Sequence, residues 1–328
     1  MATGSPRLGI VYEHPEWFAP LFAALDVREV PFDRIDVSTH RFALDGAAPP
    51  WTLVLNRMSP SAHLRGHGQA IVYTRELLRT LEDAGVETVN GAGAFALETS
   101  KVSQLLLVRR LGLRAPRTRV INHASQAAAA AGGLVFPVAV KPNIGGSGAG
   151  IQRFDRAEDL AAAAADGTLD LGIDQTALVQ EFLPARGGHI VRVEVLDGRV
   201  LYGIKVFPKP GGFNLCPADI CQTEPAALCP SDLPKVALRV EAETPPAQVC
   251  RDVLLIARRA RLDLAGVEYL VNDRDGQIYY YDINSLSNFV SNAVEVIGFD
   301  PHAVLADYLA VRLGIRGLSR MGPAAAAV

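Results

Sequence analysis

Residues 135–154 read VFPVAVKPNIGGSGAGIQRF, and how this stretch folds decides the architecture. Val135 to Pro142 is an apolar run that reads as a strand, glycines follow at 145, 146, 148 and 150, and Ile151 to Phe154 reads as its partner strand. Strand, glycine loop, strand is a hairpin, unlike the strand, glycine loop, helix of dinucleotide and P-loop sites. Such a loop can turn its backbone N–H groups onto phosphate oxygens while Lys141, at the strand end, supplies a point charge. A glycine-rich surface hairpin has the same pattern, so the loop needs support from the rest of the chain.

Upstream, strand-like and helix-like segments alternate. LGIVY (8–12) and TLVLN (52–56) read as buried strands. Trp17, Phe18, Leu21, Phe22 and Leu25 have helical spacing, as do Ile71, Leu77, Leu78 and Leu81 ahead of Gly85. This alternation predicts a parallel, doubly wound (Rossmann-like) lobe with ligands beyond the carboxyl ends of its strands. A helix over 100–111 stopped by Gly112 and Pro116, an alanine-rich helix over 126–133, and a helix from Asp155 with Glu158 in capping-box position surround the glycine loop.

Downstream, TALVQEFL (176–183) reads as a strand and 189–207 as two strands about the Asp197-Gly198 turn. Residues 208–246, proline-rich and bearing Cys216, Cys221 and Cys229, read as a long loop of the kind that serves as a lid. A helix over 248–261, a hairpin over 265–284 turning at Asp275-Gly276, and a helix over 301–313 complete the chain. The expected units are 1–98, a substrate lobe; 99–175, a small α+β lobe with the glycine loop; and 176–328, an α+β lobe with hinge, lid and metal site.

The last hairpin gives the loop its support. Asp282 and Asn284, two residues apart on one strand, project from one face, and Glu268 lies on the strand that pairs with theirs. Three oxygen-bearing side chains on one sheet face suit Mg²⁺, which shares its shell with nucleotide phosphates. A solvated sheet face is the bland alternative, and the bulky neighbours Val267, Tyr269, Ile278, Tyr279 and Tyr281 argue against it.

Composition narrows the partners. The chain has 328 residues, 49% hydrophobic and 20% charged, with a formal net charge of -3. That suits two or three globular lobes and disfavours bare nucleic acid, whose phosphates call for a basic surplus. No apolar run approaches the roughly 20 residues of a membrane span. The opening MATGSPRLGIVYEHPEW lacks a cationic region followed by an apolar stretch, so a secretion signal is not expected. Four cysteines in so long a chain suggest reduced thiols in the cytoplasm, and the loop cysteines lack the paired spacing of a zinc site. Only five of the 32 basic residues are lysines: Lys101, Lys141, Lys205, Lys209 and Lys235.

In order and spacing, Lys101, AVKPNIGGSGAG, VQEFL, HIVRVEVLDGRV, AGVEYL and YYDIN together resemble the ATP-grasp superfamily over about residues 50–315. They come nearest to its RimK-type and glutathione-synthetase-like carboxylate-amine ligases. The resemblance implies ATP and Mg²⁺, with Mn²⁺ an alternative, and amide bond formation through an acyl phosphate. It implies that Lys101 and Lys141 touch the ATP phosphates, and that Gly145, Gly146, Ser147, Gly148 and Gly150 close over them. It places Val179, Gln180, Glu181, Phe182 and Leu183 at the adenine hinge. Arg192 is similar to the arginine that steadies the phosphate and acyl intermediate, and Glu268, Asp282 and Asn284 match the metal ligands. Lys205, read as facing the same cleft, and Asn214 are further members of the site.

Departures from the pattern bear on the substrate. The metal strand ends Asp282-Ile283-Asn284 where Glu-x-Asn is usual, with Glu268 where an aspartate is common. The familiar Ser-Pro-Gly is replaced by Ser285-Leu286-Ser287-Asn288-Phe289, so Ser285, Ser287 and Asn288 are candidate acceptor-side residues and the substrate differs from that of the ribosomal-protein glutamate ligases. Pro184-Ala185 stands where an acid commonly contacts the ribose. In the first lobe, Arg65 and His67 sit after a strand where a substrate carboxylate could be held, and a polar loop reads equally well. The expected partners are a small-molecule acid and amine, with no nucleic acid or membrane, and a homodimer is compatible. The Asp-x-Asn motif also resembles small-molecule kinases of the inositol-phosphate type, and a silent nucleotide-binding module is the third reading.

Overall fold

The computed structural model describes residues 7–46, 48–209, 212, 213, 215, 216 and 238–315, and its strands form three sheets. The first holds β1 (Leu8–Tyr12), β2 (Phe32–Asp36), β3 (Leu53–Asn56) and β4 (Glu87–Val89), all parallel, in the order β2-β1-β3-β4. β1 and β3 are buried throughout, as strands covered on both faces are. The sequence reading missed β2 and β4. FDRID carries three charged residues and β4 is only three residues long, so pairing with β1 and β3, rather than propensity, makes them strands. Helices α1 (Ala19–Val27), α2 (Gly68–Asp83) and α3 (Ala92–Glu98) belong to this lobe, and α2 buries Ile71, Leu77, Leu78 and Leu81 as their spacing predicts. Strand order reverses between β1 and β3, which opens a crevice beyond their carboxyl ends.

The central unit contains α4 (Lys101–Arg110), β5 (Thr118–Ile121), α5 (Ala127–Ala130), β6 (Val138–Pro142), β7 (Gln152–Phe154), α6 (Ala157–Ala165) and β8 (Ala177–Glu181), with an antiparallel sheet ordered β5-β8-β6-β7. The strand, glycine loop, strand hairpin forms: Val138 pairs with Phe154 and Val140 with Gln152. The expected capping box does not, because α6 starts at Ala157 and its N-cap, Arg156, makes no side-chain cap bond. The alanine-rich helix is reduced to four residues after a 3-10 turn at Ala124–Gln126.

The third sheet contains β9 (Ile190–Leu196), β10 (Arg199–Phe207), β11 (Arg239–Glu243), β12 (Leu264–Val271) and β13 (Ile278–Asn284), antiparallel in the order β11-β10-β9-β12-β13. β11 corrects the reading of 208–246 as irregular throughout. It is an edge strand on β10, and the charges at Arg239, Glu241 and Glu243 that suit an exposed edge also hid it. Helix α7 (Ala247–Ala260) follows β11, and α8 (Ala293–Ile297) and α9 (Pro301–Arg312) follow β13. On one face of the sheet Val191, Val193, Val195, Val267 and Ile283 pack against Val249, Val253 and Ile256 of α7. On the other, Tyr202, Ile204 and Leu264 share a core with Leu8, Ile10 and Leu53 of the first lobe and Leu305 and Leu309 of α9. The first lobe is thereby fixed over one face of the third sheet, and an Arg28–Asp307 ion pair of 2.5 Å ties α1 to α9.

Candidate active site

On the first-lobe face of the third sheet, directly opposed residues across the strands are Arg192 with Glu268, Glu268 with Asp282, and Gly266 with Asn284. The two acids and the amide therefore share one face, as a period of two requires. Arg192 Nη1 donates to Glu268 Oε1 at 3.2 Å, and Asn284 Nδ2 approaches Gly266 O at 3.4 Å and Glu268 Oε1 at 3.5 Å. Burial and the facing Asp282 push the Glu268 carboxyl up to about 7. Burial acts the same way on Asp282, but Lys101 and Lys141 outweigh it and hold that group below the usual carboxylate range.

The donor set fits a hard cation. Among the described residues no three His, Cys, Asp or Glu side chains are placed to hold a metal ion between them, so a cation here would rest on two carboxylates and an amide, with water and phosphate completing its shell. Two buried carboxylates that repel each other are what such an ion would relieve.

Both lysines reach this face from the central unit. Lys101 Nζ lies 2.6 Å from Asp282 Oδ1. Burial and Lys101 push Lys141 down to about 8, the nearby carboxylates only partly offsetting them. Asn143 locks the two lysine-bearing elements together: its carbonyl accepts from Lys101 N at 3.2 Å and its Oδ1 from Val102 N at 3.1 Å, while Ser100 caps the same helix. Sequence reasoning passed over Asn143, although its place two residues after Lys141 was a signal.

The glycine loop closes the space above. A Cβ on Gly146 would stand 3.2 Å from Ser61 Cβ of the first lobe, so the loop backbone lies against that lobe. Gly145, Gly146, Ser147 and Gly148 line a cavity of about 130 Å³ together with Lys101, Lys141, Arg192, Glu268, Asp282 and Asn284. Trp17, Ser59 and Ser61 from the crevice of the first lobe, and Ser287 and Asn288 after β13, also line it. Gly150 is just outside: it has φ +70°, and a Cβ there would meet Asp170 at 2.5 Å.

The hinge residues stand apart from this cavity. Glu181 N donates to Arg117 O and Phe182 N to Pro137 O, both at 2.9 Å, and Gln180 Nε2 reaches Thr118 Oγ1 at 2.9 Å. The Phe182 ring lies beneath Arg153 at 4.8 Å and meets the Phe213 ring edge-on at 6.2 Å, and Leu183 is in the core.

Several expected members lie elsewhere. Lys205 does not face the cleft. It pairs with Val191, one step out of phase with Arg192, so it points to the opposite side of the sheet and binds Glu243 at 2.8 Å. Arg65 and His67 converge on the buried Glu13 at 2.7 and 2.6 Å rather than lining the cavity. Ser285 presents its backbone to the first lobe, its N to Glu98 and its O to Asn90 Nδ2 at 2.6 Å. Asn214, Cys221 and Cys229 fall outside the described residues.

The first lobe also supplies residues that sequence reasoning missed. Arg57, only 3% exposed, donates from Nη1 to Leu286 O and from Nη2 to Ser287 O at 3.0 Å. With Asn90 and Glu98 it holds the backbone from Ser285 to Ser287. Its signal was position alone, directly after a strand end in a crevice.

No protein-family model matches the chain. It is 30% identical over 238 residues to a D-alanine--D-alanine ligase of Nitratidesulfovibrio vulgaris (strain DP4), a match covering 70% of this chain and 71% of that protein. It is 29% identical over 178 residues to a probable alpha-L-glutamate ligase 2 of Shewanella frigidimarina (strain NCIMB 400), over 49% of this chain and 57% of the relative. Among solved structures, the ATP-grasp ligase PsnB complexed with a minimal precursor superposes with a TM-score of 0.67 at 19% identity, over 94% of this chain and 99% of that one. A glycine-looped hairpin set against an acid-bearing sheet, in a chain so related, identifies the protein as a member of the ATP-grasp superfamily, among its ATP-dependent C–N ligases.

Proposed function

We propose that the chain uses MgATP to join a small acid to an amine in an amide or peptide bond, the substrates being amino acids, short peptides or related metabolites. The observation that carries this reading is that both lysines, Arg192 and the glycine loop line one cavity with Glu268, Asp282 and Asn284. Phosphoryl transfer needs mainly positioning and charge stabilisation, and these residues supply both. Lys101, Lys141 and the backbone N–H groups of Gly145 to Gly148 hold the nucleotide phosphates, and the strand through Gln180, Glu181, Phe182 and Leu183 receives the adenine. A bound polyanion also favours the charged form of Lys141, which burial and Lys101 oppose in its absence.

Glu268, Asp282 and Asn284 would hold Mg²⁺, which neutralises phosphate charge when bound. A carboxylate oxygen of the acid bonds to the γ-phosphorus as the bond to ADP breaks. The amine nitrogen then bonds to the acyl carbon, phosphate leaves with the electron pair of the acyl–oxygen bond, and the amine proton passes to water. Arg192 offsets the charge that gathers between these two events. Ser287 and Asn288, which line the same cavity as Trp17 and Ser61, form the acceptor side. In this reading residues 1–98 shape the substrate end, 99–175 cover the phosphates, and 176–328 carry the reaction face of a cytoplasmic enzyme.

A panel of D-alanine, L-glutamate and short peptides, offered as acids and amines with MgATP, tests this. ADP and free phosphate should appear only when acid and amine are both present. A phosphorylated product without free phosphate would replace the ligase with a kinase. Full turnover in Lys141→Ala would remove the site assignment.

A further inference from the structure

Next to the proposed reaction face lies a carboxylate that no role above uses. Glu194 is completely buried in the middle of β9. It accepts from Arg192 Nε at 2.6 Å and from the Ser287 hydroxyl. Arg192 also donates from Nη2 to Ser287 Oγ at 2.9 Å. The guanidinium has five N–H bonds; with Nε–H on Glu194, one Nη1–H on Glu268 and one Nη2–H on Ser287, each terminal nitrogen keeps one N–H uncommitted by these contacts.

The floor under this pair is equally specific. Gly266 lies opposite Glu194 on β12, and a Cβ there would stand 2.6 Å from both Arg192 Nε and Nη2 and 2.7 Å from Glu194 Oε1. Gly266 has no left-handed φ to explain its identity, so the space it leaves is what the Arg192–Glu194 pair occupies. On the far side Ser287 is held at φ +34°, a backbone region costly for a non-glycine residue, with Arg57 of the first lobe on its carbonyl.

We propose that Glu194, Gly266 and Ser287 are positioning residues that aim Arg192 at the transferring phosphoryl group; this rests on the reading of Arg192 given above. A guanidinium gripped through Nε and both terminal nitrogens has little rotational freedom left, and displacement of about 1 Å at such a group costs about 10²-fold in rate. Ser287 extends the control to the first lobe, because Arg57 fixes the segment that carries it.

The test needs no knowledge of the substrate. Orthovanadate added to the MgADP complex mimics the transferring phosphoryl group, and its affinity can be compared with that of MgADP alone by calorimetry. In Arg192→Lys, Glu194→Gln, Gly266→Ala and Ser287→Ala, vanadate affinity should fall at least about tenfold, while MgADP affinity stays within about threefold of wild type. Gly266→Ala removes no charge or donor, so its loss would report displacement alone. Adding Glu194→Gln to Arg192→Lys should cost nothing more, since the group to be aimed is already gone. If Arg192→Lys binds vanadate as wild type does, or wild type binds none, the reading of Arg192 fails. If Arg192→Lys loses vanadate but Glu194→Gln and Gly266→Ala keep it, only the positioning proposal fails. Equal losses of MgADP and vanadate affinity, with a lowered melting temperature, would assign these residues a structural role and overturn the proposal as well.

Discussion

The two faces of the third sheet are built from the same strands in alternation, yet they obey different rules. Toward α7 the strands present Val191, Val193, Val195, Val267 and Ile283, an interior in which burial of apolar surface is the gain. Toward the first lobe, β9, β12 and β13 present Arg192, Glu194, Glu268 and Asp282, all at least largely buried. Buried ion pairs often contribute little or nothing net to stability, because desolvation offsets attraction. The α7 face therefore serves packing, whereas the first-lobe face carries a charged cluster beside its own core of Tyr202, Ile204 and Leu264, and substitutions in the two clusters should separate them.

The largest separation is expected at Asp282, where Asp282→Asn removes a proposed metal ligand and the partner of Lys101. Turnover should fall at least about 10³-fold, in line with the loss of a principal electrostatic group, while secondary structure by circular dichroism is retained. Full activity in this variant would merge the two faces again.

Glu268→Gln sharpens the contrast by testing its cost. Burial and Asp282 raise the carboxyl of Glu268 in the folded chain to about 7, above an unfolded glutamate near 4.3. A raised acid stabilises the fold below its unfolded value and loses that contribution as pH climbs through the folded one. The melting temperature of the metal-free wild type should therefore fall between pH 5 and pH 8, and Glu268→Gln should flatten that slope while cutting turnover by about 10²-fold. An unchanged slope would show that the facing carboxylates carry no such strain.

How far the sequence disclosed each face follows from the same alternation. The Asp197-Gly198 and Asp275-Gly276 turns marked both hairpins, but the pairing of Glu268 with Asp282 also depends on a register shift between Glu268 and Tyr269 that the turn does not disclose. The parity of Lys205 relative to Arg192 depends on register across a turn, and Val200 and Tyr202 flank an irregularity there, so counting along one strand misplaced it. Arg57, Asn90 and Glu98 were illegible for another reason. Their partners are backbone atoms more than 170 residues away, and such partners leave no local pattern.

On the apolar face, Val193→Ala should do the reverse of the acidic substitutions. Val193 is fully buried against α7, and removing its two methyl groups costs about 2 kcal/mol through lost burial and an unfilled cavity. Denaturant unfolding should show that loss while turnover stays within about twofold of wild type. A large loss of turnover without a stability change would mean that the helix side of the sheet takes part in the chemistry.

Lys205→Met is expected to have the smallest effect, and it tests parity directly. If Lys205 faced the cleft it would add a third cation beside Lys101 and Lys141, and its removal would weaken nucleotide binding. Paired instead with Glu243 at the exposed edge between β10 and β11, it is part of a surface ion pair of the kind that contributes little. MgADP affinity and turnover should therefore stay within about twofold of wild type. A tenfold loss of MgADP affinity would put the lysine back in the cleft and require the register of β9 and β10 to be redrawn.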